Sequence, residues 1–131
     1  MKRDMDLVRK ILFAMEDDEK RIEFAEYSPI KIEGYKRENI AYHMKIMAQA
    51  GLLKADLMEA PMPVVENYVM PKSEAAYYSL SWDGHEFLDA ARDDTRWNKA
   101  KVVMTQVGGF ALDVMKQLLI QYLKQDLLKL T

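Results

Sequence analysis

The chain has no cysteine in its 131 residues. Disulfides, cysteine-built metal sites and thiol nucleophiles are therefore excluded outright, and the lack of disulfides fits a reducing compartment. Only two histidines are present, His43 and His85. They fall on separate predicted helices with no third ligand at a characteristic spacing, which argues against a metal centre. Glycine numbers five and proline four, and three of the prolines (Pro61, Pro63, Pro71) crowd into one stretch. The Gly108-Gly109 pair lacks the preceding strand and further glycines of a phosphate-binding loop. No Ser/His/Asp set stands in a recognisable catalytic motif, so the sequence points away from an enzyme and toward no cofactor. Nor is there a long apolar run of the kind a membrane span requires. The charged start, Met1-Lys2-Arg3-Asp4, lacks the apolar stretch of a secretory signal. The expected location is the cytoplasm.

What is present is an ordinary globular balance, 50% apolar and 31% charged, in a length suited to one domain. Net charge is only -2, but its distribution is uneven. Residues 1–54 carry eleven Lys/Arg against ten Asp/Glu, residues 55–94 two against nine, and residues 95–131 six against two. The successive balances are +1, -7 and +4.

Residues 4–16 read as a helix with Asp4 as N-cap and Val8, Ile11, Leu12 and Met15 on one face. The acidic run Glu16-Asp17-Asp18-Glu19 has the wrong sign for a helix C-terminus and should end it. Pro29-Ile30-Lys31-Ile32-Glu33 alternates and predicts a short strand. Residues 36–50 predict a second helix, with Ile40, Met44, Met47 and Ala48 inward and Gly51 at the C-terminal cap. Segments 53–58 and 76–81 predict a β-hairpin, with the proline-rich stretch 60–75 as its loop or wing tip. Ser81 should cap a helix running to Arg92 that buries Phe87, Leu88 and Ala91. Asp93-Asp94-Thr95 should re-cap a further helix through Gln106, with Gly108-Gly109 ending it. A last helix over 110–129 has Leu112, Met115, Leu118, Leu119, Tyr122 and Leu123 on a broad face, and a narrow polar stripe of Asp113, Gln117, Gln121 and Lys124.

Helix, strand, helix, hairpin, then helices is the order of a winged helix. The expected fold is α+β and mostly helical, a winged-helix-like core over 1–93 with a two- or three-stranded wing sheet. Extra C-terminal helices over 94–131 would complete a single domain and offer a dimer interface. Met47-Ala48-Gln49-Ala50-Gly51-Leu52-Leu53 resembles the passage from recognition helix to wing in bacterial winged-helix regulators, and Leu80-Ser81-Trp82-Asp83-Gly84-His85-Glu86 resembles the exit from the wing. The whole chain also resembles an uncharacterised family of bacteria and prophages, domain of unknown function 2513. The resemblance rests on Met1–Arg9, Gly34-Tyr35 with Ile40-Ala41-Tyr42-His43, Ala50-Gly51-Leu52 and Gly84–Asp89. It continues through Arg92–Asn98 and Gly108-Gly109-Phe110. It implies a winged-helix-like fold and a phage association, with no activity to carry over.

If 36–50 is a recognition helix, its outward residues are Lys36, Arg37, Asn39, Tyr42, His43, Lys45, Ile46 and Gln49. Asn and Gln suit adenine edges, Lys and Arg suit guanine or phosphate, and Tyr and His suit phosphate. The plain alternative is a solvated helix face. Two features weigh against DNA. A supporting helix has no room directly before residue 36, unless a turn near Arg21–Tyr27 takes its place. The wing is acidic and apolar, with Lys72 its only basic residue over 55–75, and its charge repels phosphate. The expected function is a phage- or prophage-related transcriptional regulator that binds DNA as a homodimer paired through the C-terminal helix. The alternative is a protein-interaction adaptor using the C-terminal helix and the apolar wing residues Val64, Val65, Tyr68, Val69 and Met70.

Overall fold

The computed structural model describes residues 2–17, 30–57, 76–108 and 111–130. Among them are five helices and one two-stranded antiparallel sheet: α1 (Met5–Asp17), α2 (Arg37–Gln49), β1 (Leu53–Leu57), β2 (Ala76–Leu80), α3 (Trp82–Ala91), α4 (Asp94–Gln106) and α5 (Leu112–Leu128). The fold is α+β and mostly helical, as the periodicity predicts. The chain divides into two compact units after Gly84, within α3.

In the first unit, α1 starts where its cap dictates. Asp4 Oδ1 accepts the backbone N–H groups of Asp6 at 3.0 Å and Leu7 at 3.2 Å, two of the donors that a helix start leaves unpaired. Met5, Leu7, Val8, Ile11 and Leu12 are buried along one side. On α2, the buried set is Ile40, His43, Met44 and Met47, a strict i, i+3, i+4, i+7 stripe. The helix ends in a Schellman motif: Gly51 N–H donates to the Ala48 carbonyl at 3.1 Å and Leu52 N–H to that of Met47 at 2.9 Å. Gly51 takes φ +85°, a left-handed conformation that costs glycine nothing.

That cap delivers the chain into β1. The strands pair in the register Leu53↔Leu80, Ala55↔Tyr78 and Leu57↔Ala76, close to the predicted limits. Ser81 then binds the two hairpin ends together. Its N–H donates to the Leu52 carbonyl at 3.2 Å, its hydroxyl donates to the Gly51 carbonyl, and its Oγ accepts the Gly84 N–H at 2.9 Å. The helix cap expected of Ser81 is present and carries a long-range contact as well. A Cβ on Gly84 would lie 2.1 Å from the Leu52 carbonyl oxygen. Gly84 is therefore a close-approach glycine, and its backbone torsion is not the reason for it.

One expected element is absent. Residues 30–32 have no regular structure, so the strand predicted over 29–33 does not form there. Instead Tyr35 N–H donates to the Ile32 carbonyl at 3.2 Å, closing a tight turn with Gly34 at φ +86°. The alternation of Ile30 and Ile32 is used differently: Ile30 is buried, Ile32 half-buried, and the sheet has two strands among the described residues. The expected helical turn near Arg21–Tyr27 and the wing tip over 60–75 lie outside the described residues.

In the second unit, Asp93 caps α4 as expected, its carboxylate accepting the Arg96 N–H at 2.9 Å. Phe87 and Trp97 meet edge to face at 6.4 Å, both fully buried. Helices α4 and α5 are joined by Arg96 to Asp126 at 3.2 Å and by Lys99 over the Tyr122 ring at 4.4 Å. The broad apolar face predicted for α5 is narrower in the structure. Only Met115 and Leu119 are buried, whereas Leu112, Leu118, Tyr122 and Leu123 are half-buried. Asp113, Gln117, Gln121 and Lys124 form an exposed stripe, as expected.

Thermal or urea unfolding tests the hairpin junction. Ser81→Ala should destabilise by about 1–2 kcal/mol through lost capping, and Gly84→Ala by about 1–3 kcal/mol through overpacking against backbone. Wild-type stability in Gly84→Ala would contradict the close approach.

Candidate nucleic-acid interface

Helix α2 leaves its N-cap residue Lys36 extended, with no side-chain cap on the first turn. With Ile40, His43, Met44 and Met47 inward, the opposite face is set by geometry. Glu38, Tyr42, Lys45 and Gln49, at i, i+4, i+7 and i+11, are all exposed, as are Ala41 and the flanking Lys36 and Arg37. Five of the predicted contact residues thus lie on the solvent side of α2 and its cap: Lys36, Arg37, Tyr42, Lys45 and Gln49. Asn39 is half-buried at the edge of the face, as is Ile46.

His43 is a correction. It is 2% exposed, and both ring nitrogens are engaged inside the fold. Nε2 accepts the Asp4 backbone N–H at 2.9 Å, and Nδ1 stands 2.7 Å from the Asn39 carbonyl oxygen. These partners assign the proton to Nδ1, giving a neutral ring that ties α2 to the start of α1. No side of His43 is left for DNA. The signal was in the spacing: residue 43 is three after Ile40 and four before Met47, squarely in the buried stripe.

Tyr35 joins the same contact. Its hydroxyl donates to the Asp4 side chain, and Lys10 Nζ sits 5.2 Å above its ring. Partial burial raises the Tyr35 pKa above its ordinary 10.0, helped by the Asp4 charge, the hydrogen bond to Asp4, and the Asp6 charge. Glu38 also went unnoticed in the sequence, although it stands in the first turn of the outward stripe, where its charge complements the helix dipole. The wing residues Val64, Val65, Tyr68, Val69 and Met70 lie outside the described residues. Among the described residues, no group of three or more His, Asp or Glu side chains is placed to hold a metal ion, and no helix is long and apolar enough to cross a membrane.

With this geometry in view, the chain was compared with known proteins. The family model for hypothetical proteins designated DUF2513 matches residues 2–111, most of the chain. The chain belongs to the DUF2513 family. An uncharacterised protein of Haemophilus influenzae is 30% identical to this DUF2513 chain over 118 residues, 89% of this chain and 91% of that protein. No solved structure matches significantly. The matched segment contains α1, α2, the hairpin, α3 and α4, and so the whole α2 face.

Two measurements check the α1–α2 contact. His43→Leu keeps the volume but strands the Asp4 N–H, and should cost about 1–3 kcal/mol of unfolding free energy. In the native state Tyr35 keeps its proton to higher pH than in the unfolded chain. Its contribution is therefore complete below about pH 10 and is lost as pH rises through the raised value. The ultraviolet difference titration of wild type against Tyr35→Phe should show a phenol with its midpoint above 10.0. A midpoint at or below that value would contradict the Asp4 contact.

Proposed function

We propose that this DUF2513 protein is a DNA-binding regulator of winged-helix type, phage- or prophage-related, that lays the outward face of α2 in the major groove. The observation that carries the reading is the exposure of Lys36, Arg37, Tyr42, Lys45 and Gln49 on that helix and its cap. Arg37 and Gln49 suit base edges, while Lys36, Lys45 and Tyr42 suit phosphate. The order of α2, Schellman turn and hairpin supports the winged-helix assignment, because the wing then leaves directly from the end of the reading helix. The acidic balance of 55–94 opposes phosphate, so affinity rests on α2 and on pairing of two copies. A homodimer through α5 supplies that pairing.

A second reading is favoured by a different observation. Val114, Leu127 and Leu128 of α5, and Leu130 beyond it, are exposed, a set that suits contact with another polypeptide. The protein is then an adaptor that binds protein and not DNA.

Fluorescence anisotropy on mixed genomic fragments across a salt series separates the two readings. Arg37→Ala with Lys45→Ala should weaken low-salt binding at least about tenfold and flatten the salt slope by up to about 1.8, at about 0.9 per lost phosphate contact. Unchanged binding by the folded double variant would overturn the assignment of α2.

A further inference from the structure

The basic residues leading into α1 are brought to the same end of α2 by contacts that the fold makes for its own stability. The Asp4 backbone N–H is held by His43 at 2.9 Å, and the Asp4 side chain receives the Tyr35 hydroxyl. Lys2 and Arg3 precede Asp4 directly and both are exposed. Two residues of extended chain span at most about 7 Å, so both stay close to the N-terminal half of α2. Lys10 reaches the same end through the Tyr35 ring, 5.2 Å away. Residues 2–10 carry four basic and two acidic side chains, a balance of +2. One of the two carboxylates, Asp4, is occupied by the helix cap and Tyr35.

We infer that Lys2 and Arg3 form a second DNA contact, a basic segment held beside α2 that neutralises backbone phosphates flanking the site the helix reads. The inference rests on the DNA-binding reading above and supplies what the acidic stretch after β1 does not, a cationic partner next to the reading helix. Segments of this kind hold a protein in register on the duplex without specifying sequence, and they dominate the salt-dependent part of affinity. Tyr35 and His43 are positioning residues in this scheme. They fix Asp4, and through Asp4 the two residues before it.

The test is the salt dependence of binding to labelled mixed-sequence duplex DNA, using the full chain. Lys2→Ala with Arg3→Ala changes only exposed side chains, so the fold, checked by circular dichroism and melting, should be retained. The slope of log affinity against log salt should fall by about 1.8, two contacts at about 0.9 each, with similar loss on every sequence. Tyr35→Phe should weaken binding in the wild-type background and have little effect in the Lys2→Ala/Arg3→Ala background, because it acts through those residues. An unchanged slope in a double variant that still binds DNA overturns the second contact while leaving α2 as the reader. Equal losses from Tyr35→Phe in both backgrounds overturn the positioning role. Absence of any low-salt binding by the wild-type protein overturns the DNA-binding reading itself, and this contact with it.

Discussion

The carbonyl of Leu52 is the point on which the first unit turns. It accepts the Ser81 N–H across the hairpin, and the Gly84 Cα presses against it so closely that no side chain fits. Twenty-nine positions separate Leu52 from Ser81 in sequence. The Schellman turn fixes Leu52 relative to α2, and the Ser81 cap fixes the start of α3 relative to Leu52. The end of the proposed reading helix, both strands and the following helix therefore share one hydrogen-bonded junction. Without it, the outward face of α2 would have no defined angle to the hairpin.

At its other end α2 is tied down by His43 and Tyr35, both acting on Asp4. One short residue thus caps α1 with its side chain and offers its N–H to α2. The two ends together explain how a 13-residue helix with a largely polar outer face is held rigidly. An isolated helix of that length is marginal in water, and packing supplies what propensity does not. For DNA recognition the consequence is preorganisation, since a helix fixed at both ends can present Arg37, Lys45 and Gln49 without further ordering.

Features governed by local chemistry were legible in the sequence. Asp4, Ser81 and Asp93 act as caps where a short polar side chain precedes an apolar-periodic segment, and Gly51 and Gly108 take the positive φ that a helix stop demands. The hairpin register followed from period-two alternation. Features that depend on distant partners were not legible. The alternation of residues 29–33 looks like a strand, yet a strand needs a neighbour, and the turn at Gly34 takes its place. His43 was assigned to the surface because it is polar, although its spacing belongs to the buried stripe and the Asp4 N–H satisfies it. Gly84 carried no sequence signal of its close approach, because Leu52 is remote along the chain. The basic pair Lys2–Arg3 gained meaning only when Asp4 was seen fastened to α2.

The central claim is that the α2 face meets DNA. Backbone amide chemical-shift mapping of the protein with a short mixed-sequence duplex at low salt tests it most directly. The account predicts shifts clustered on residues 2–10 and 35–49, with α5 little affected. Shifts centred on α5, or none at saturating duplex, would contradict it.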